Sequence, residues 1–212
     1  MLSPAYFAGL DLGRERDHAA IAVVERVDTH TYASPPAFHA LHVLYLARIP
    51  LGTPYAEIVA GVRRLLLSEE LRGRCALAVD STGVGAPVVE MLKDAGLECE
   101  IGAVTISGGE REHRNGSFAG VTRWSVPKQD LISGLQLLLE KGQLRIAKNL
   151  PAAGSLVREL MDMRAVRKES GHTRLGADRS GEHDDLVIAL SLAVWRARRR
   201  GIGFGTQRLP GI

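Results

Sequence analysis

The segment Ser180 to Trp195, SGEHDDLVIALSLAVW, constrains this chain more than any other part of it. From Leu186 to Val194 only Ser191 is polar, so a helix here has no hydrophilic face and must be buried nearly all round. Such a helix belongs inside a layered domain, packed against a sheet. Its start is the opposite: Glu182, His183, Asp184 and Asp185 crowd charge at the mouth of an apolar element. The free N–H groups and the dipole of a helix N-terminus favour a carboxylate there. Capping accounts for one acid, not for a pair.

The remaining pattern alternates between strands and helices. YFAGLDL (6–12) and AAIAVVERV (19–27) read as strands joined by a polar turn, and a third strand covers 39–49. Apolar residues at helical spacing from Tyr55 to Leu66 predict a helix over 54–67. CALAV is a short apolar strand ending at Asp80, and STGVGAP then leads into a helix over 87–95, stopped by Gly96. A strand follows at 98–106, then a polar loop or hairpin with few core residues over 107–126. Pro127 opens a helix to Leu139, and 144–146 is a brief extended piece. A helix at 156–163, a basic hairpin over 164–178 turning at Ser170-Gly171, and the apolar helix from Asp184 to Arg200 complete the series. This order predicts one α/β domain over 1–200 with a mixed sheet flanked by helices, and a fraying Gly-rich tail at 201–212.

Composition agrees with a single globular domain: 212 residues, 45% hydrophobic and 24% charged. No apolar run approaches the ~20 residues of a membrane span, and the start lacks a signal peptide's basic region. Cys75 and Cys99 have no zinc-site spacing, so they read as reduced core thiols of a cytoplasmic protein. The net charge of +3 does not by itself imply a nucleic-acid partner. Its distribution is more informative. Arg111, Arg114, Arg123 and Lys128 form one basic stretch, Arg164, Arg167, Lys168 and Arg174 a second, and Arg196 to Arg200 a third.

Asp11 lies in GLDLG, in a strand whose apolar neighbours imply cover on both faces. An ionised carboxylate there is costly unless it is paired, hydrogen-bonded or bound to a metal. Gly9 and Gly13 flank it and permit close approach of backbone or ligand. Asp80 repeats the pattern at the end of CALAV. Carboxyl ends of parallel strands face the functional crevice of α/β sheets, so both acids are expected at one rim. Three or four converging carboxylates repel one another. Divalent Mg²⁺ or Mn²⁺, which prefer oxygen ligands, would relieve that conflict. Successive helical residues point about 100° apart. Asp184 and Asp185 therefore play different parts: one ligand and one support, or ligands to two ions, with Asp184 preferred.

GLDLG, AVDSTGVG and EHDDLVIALSLA, in this order and with VPKQDLISGLQLLLEKGQLRI between the last two, resemble the nuclease domain of phage large terminases. The likeness runs from Ala8 to about Trp195. It implies an RNase H-like fold, shared with RuvC-type resolvases and retroviral integrases, and a metal-dependent endonuclease. It places the metal-binding, catalytic acids on Asp11, Asp80 and Asp184, with Asp185 as an additional ligand. It implies two-metal hydrolysis of double-stranded DNA, with Mg²⁺ or Mn²⁺ as the pair of ions, during genome packaging by a phage or prophage. The motor's phosphate loop GxxxxGK[ST] is absent from this sequence, which points to an excised domain or a stand-alone relative. The ATPase motor would then be a separate partner, beside a portal or capsid component. His183 and Lys128 are expected to support the site. Arg111, Arg114, Arg123, Lys128, Arg167, Lys168 and Arg174 are expected to grip DNA phosphates around it, and Trp124 is expected to anchor its hairpin. The alternatives are a RuvC-like junction resolvase, one lobe of an actin-like ATP-binding kinase, and a non-catalytic nucleic-acid-binding module.

Overall fold

Parallel strands require a crossover between them, whereas antiparallel neighbours can be joined by a turn. Both kinds of connection occur in the computed structural model, which describes residues 4–13, 17–31, 34–83, 85–163, 165–167, 173–175 and 184–199. The strands are β1 (Tyr6–Asp11), β2 (Ala19–Thr31), β3 (Ser34–Ile49), β4 (Cys75–Asp80), β5 (Glu100–Ser107), β6 (His113–Phe118), β7 (Val121–Pro127) and β8 (Leu144–Ile146). A separate ribbon pairs β9 (Ala165–Arg167) with β10 (Thr173–Leu175). The helices are α1 (Tyr55–Leu66), α2 (Gly85–Asp94), α3 (Lys128–Glu140), α4 (Ala153–Asp162) and α5 (Asp185–Arg198). The eight-stranded sheet has the order β6-β7-β5-β4-β1-β2-β3-β8. Strands β1, β4, β5 and β7 run parallel, while β2 is antiparallel to β1. The carboxyl ends of four adjacent strands therefore open on one rim.

Central strands in this arrangement must be apolar on both sides. In β4, CALAVD, every residue is buried except the terminal Asp80. Side chains alternate between two cores. Phe7, Ala76 and Ala78 face the layer of α3 and α5, whereas Ala8, Leu10, Leu77 and Val79 face α1 and α2. Cys75 is buried and Cys99 half-buried, both are free, and burial pushes both thiols up to about 12. They are inert, as expected for core thiols. Among the described residues no helix is long and apolar enough to cross a membrane.

Every residue of α5 from Asp185 to Trp195 is buried, as its composition requires. It lies directly on β1. A Cβ built on Gly9 would stand 2.0 Å from the Ala189 carbonyl oxygen and 2.6 Å from the Ala193 nitrogen. The glycine thus serves backbone approach, and the approaching backbone is the helix whose N-terminus carries Asp184 and Asp185.

The stretch 107–126 takes the hairpin form of the expected loop or hairpin, with few buried residues, but it also joins the main sheet. It is a β6–β7 hairpin within the main sheet, with β7 parallel to β5 and Val121 and Val126 buried. VTRWSVP is fully buried only near its ends, and its place in the sheet comes from being flanked by β5 and β6. Helix α2 begins at Gly85, two residues before Pro87. The tail 201–212 lies outside the described residues.

Gly9→Ala tests the helix–strand contact. Overpacking of a close-packed core costs about 1–3 kcal/mol, and backbone atoms cannot move aside like a side chain. Urea unfolding of this variant should show a loss at the upper end of that range, with an unchanged denaturant slope.

Candidate functional site

The register fixes the first two acids. Leu10 pairs with Val79 on the parallel strands β1 and β4, so Asp11 and Asp80 stand one residue further along each. Neighbouring strands are separated by about 4.8 Å. Leu10 and Val79 face the α1–α2 core, so the alternation of strand side chains turns Asp11 and Asp80 to the opposite face, under α5. The row continues outward: Asp11 pairs with Ala20 on β2, and Ala20 with Arg48 on β3. The small alanine leaves Arg48 free to reach across the sheet towards the start of α5.

Asp184 is the residue before the first turn of α5, yet its side chain caps no backbone N–H. Instead Lys128 Nζ, in the first turn of α3, donates to Asp184 Oδ2 at 2.6 Å. The pair is partly exposed. Asp185 is only 3% exposed, and Arg48 Nε lies 2.8 Å from its Oδ2. Asp80 accepts a hydrogen bond from the Thr82 backbone N–H at 2.8 Å, which shapes the turn into α2. Gly85 closes that turn, because a Cβ there would meet the Asp80 carbonyl oxygen at 2.7 Å.

Asp11 sits electrostatically at the centre. Burial, and then repulsion from Asp80, Asp184 and Asp185, raise its carboxyl well above the usual range, while Lys128 acts in the opposite direction. The acids from two strand ends and one helix start are therefore electrostatic neighbours. They do not form a closed shell as placed: among the described residues, no three His, Cys, Asp or Glu side chains are grouped to hold an ion. Asp184 and Asp185 are turned to Lys128 and Arg48, which supply the positive charge this cluster needs.

Two residues of this network escaped the sequence reading. Glu159 of α4 is buried and accepts the Leu186 and Val187 backbone N–H groups on Oε2, at 3.0 and 3.1 Å. It also pairs with Arg48. Glu159, not Asp184, is thus the side-chain cap of α5. Burial lifts its carboxyl to about 7, against the lowering effect of the Val187 N–H and Arg48. The signal was present: Glu159 lies three residues after Leu156 and four before Met163, at an apolar helical spacing. A carboxylate on that stripe needs partners. Arg48, two residues before the Pro50 that ends the third strand, carries no signal in sequence beyond its place in that strand.

The basic candidates separate. Lys128 alone is in contact with the acids. Arg123 points to the α2 side of the sheet, where its Nη2 lies 3.5 Å from Glu90. Arg114 lies over the Trp124 ring, 5.9 Å from its centroid, and Arg111 is exposed in the bend before β6. The stretch 108–128 therefore does not flank the acids as a unit, because its hairpin is spread across the sheet edge. The backbones of Arg167 and Arg174 belong to the β9–β10 ribbon, which contacts α3 through β10. His183 and Lys168 lie outside the described residues. Trp124 anchors its hairpin, meeting Trp195 edge-on at 5.6 Å.

A pH dependence follows from the raised carboxyls. An acid whose folded pKa exceeds its unfolded value keeps its proton longer in the native state. Its stabilising contribution is complete below the unfolded pKa and is lost as pH rises through the folded one. For Glu159 that window runs from 4.5 to about 7. The shift at Asp11 has the same sign. In EDTA, stability should therefore decline across this window. Glu159→Gln should flatten the decline, as thermal denaturation across a pH series would show.

No protein-family model matches the sequence. The large terminase subunit of Thermus phage G20c is 30% identical over 188 residues, covering 89% of this chain and 31% of that protein. The chain thus spans about a third of the length of such relatives. The crystal structure of the large terminase nuclease from phage G20c with bound magnesium superposes with a TM-score of 0.58 at 25% identity, covering 92% of this chain and 83% of that one. The nuclease domain of the bacteriophage SPP1 large terminase with bound manganese gives 0.54 at 12% identity, covering 92% and 88%, and speaks to the fold alone.

Proposed function

Because this chain is a homologue of the nuclease domain of phage large terminases, with its RNase H-like fold, we propose that it hydrolyses DNA phosphodiester bonds at the acid cluster. The observation that carries this reading is the crowding of Asp80, Asp184 and Asp185 around the buried Asp11: burial first, and then these neighbours, raise its carboxyl, and a bound cation would relieve the repulsion. The donor set is all oxygen, as Mg²⁺ and Mn²⁺ prefer. Asp11, Asp80 and Asp184 would hold the metal, with Asp185 as a further ligand. When two ions are bound, they supply a water of lowered pKa and stabilisation for the departing 3′-oxygen.

The chain's own residues prepare that site. A cation bound at Asp11 would replace the like-charge repulsion of its acidic neighbours with attraction. Lys128 balances Asp184 beforehand. With that carboxylate engaged, its ammonium is free to donate to a phosphate oxygen of the substrate, as a partly exposed cation at this rim can do. Arg48 holds Asp185 in place through its Oδ2. Glu159 in turn holds Arg48 and the first N–H groups of α5, so the start of the helix cannot drift from the strand ends.

Double-stranded DNA is the substrate in this reading, and an ATPase motor or a portal or capsid component is its partner. Arg111 and the basic ribbon around Arg167, Lys168 and Arg174 would contribute sequence-blind phosphate contacts, weakened by salt. His183 would assist beside Asp184.

Supercoiled plasmid incubated with Mn²⁺, Mg²⁺ or EDTA tests the proposal. Cleavage is expected with either metal and not in EDTA, and Asp80→Ala should lower it by roughly 100-fold or more, about 3 kcal/mol of activation free energy. Metal-dependent cleavage that survives in Asp80→Ala would overturn the assignment. Calorimetry tests the arrangement separately. Mn²⁺ binding should release protons and tighten as pH rises. Arg48→Ala, which removes an outer support of the ligands, should weaken Mn²⁺ by roughly 10- to 100-fold.

A further inference from the structure

A second concave site lies on the α5 face of the sheet, beside the far end of that helix. It is a pocket of about 470 Å³, of the size that small ligands occupy. Its walls include Arg114, Trp124, Arg196 and Arg199, with Gly102 and Gly120 among the residues that line it. Asp185 and Arg199 are separated by roughly 20 Å along the helix axis, so this pocket is not part of the acid cluster.

The side chains are arranged rather than merely gathered. The Arg199 guanidinium lies 4.4 Å from the Trp195 ring centroid and 5.0 Å from that of Trp124, while Arg114 covers Trp124 at 5.9 Å. Glu112 holds both Arg199 and the Trp195 indole N–H, and Glu100 holds Arg196. Three guanidiniums thus face two carboxylates, leaving an excess of positive charge. The Arg199 Nε–H is buried and has no hydrogen-bond acceptor among the described residues. A buried donor left unmade is costly. Glu100 is largely exposed, its side chain 62% accessible, so an incoming anion can compete with it for Arg196.

We propose that this pocket binds a nucleoside phosphate, either free or as one unit of a nucleic-acid strand. Guanidiniums recognise phosphate oxygens through paired N–H donors. The indole and guanidinium planes give a base a stacking surface that is indifferent to its identity. An acidic peptide would use the arginines and leave the aromatic wall idle.

Trp124 and Trp195 are the two tryptophans of the chain; Trp124 lines this pocket and the buried Trp195 packs edge-on against it. Intrinsic fluorescence therefore reports on this site. In EDTA, titration with dAMP and with a single-stranded oligonucleotide should give saturable quenching, in competition with inorganic phosphate. Arg114→Ala, on an exposed strand, should weaken it by roughly tenfold, the loss of one charge-assisted hydrogen bond. Arg114→Ala combined with Arg196→Ala should weaken it further, with circular dichroism unchanged. Asp80→Asn should leave the quench intact, which separates this site from the acid cluster. Quenching by dAMP identifies a nucleotide pocket, and quenching by the oligonucleotide alone identifies a strand contact. Absence of quenching by either, an unaltered response in Arg114→Ala, or a response to poly-glutamate and not to dAMP, would overturn the proposal.

Discussion

The contact on which the rest of the structure depends is the seating of α5 on β1 at Gly9. Helix and strand are close enough there that one methyl group would collide with the helix backbone. The consequence reaches along both elements. The strand ends two residues later at Asp11, and the helix begins one turn before Ala189 at Asp185, so an intimate packing contact sets the spacing of two carboxylates that attract nothing in each other. The apolar run from Leu186 to Trp195 supplies the free energy that holds charge against charge. Its burial outweighs the cost of crowding the acids, and it leaves the cluster strained towards cations.

Cations of two kinds meet that demand. Lys128 and Arg48 approach from opposite sides, one from the helix after β7 and the other from the end of β3. Lys128 is partly exposed and holds a partly exposed acid, so water and salt compete with that pair. Arg48 is locked between two buried carboxylates, Asp185 and Glu159, in a network that needs all its members. The adjacent acids thus have different standing. Asp184 is the adjustable one and Asp185 the fixed one, which is what successive positions on a helix, pointing about 100° apart, make available.

Much of this was legible in the residues themselves. The strand-end positions of Asp11 and Asp80, the buried character of α5 and the need for glycine at position 9 follow from pattern and from the cost of buried charge. The β6–β7 hairpin was not legible as part of the sheet. VTRWSVP alternates poorly, and its place beside β5 depends on a long-range pairing that local sequence does not encode. Glu159 and Arg48 were missed for a related reason. Each reads as an unremarkable charge in its own element, and only the meeting of α4, β3 and α5 makes them necessary. Arg123 shows the converse: a basic cluster in sequence was split by strand alternation, which sent neighbouring side chains to opposite faces.

The hairpin also settles how the sheet ends. β6 is an outer strand, exposed at all six residues, so its free backbone groups would template another chain. Its ladder is interrupted between Arg114 and Gly116, and Gly116 takes a φ of 107°. That irregularity bends the border, and the arginine on it adds charge. A sheet built around so apolar a centre is thereby guarded against growing into fibres, and the guard is the least apolar strand it possesses.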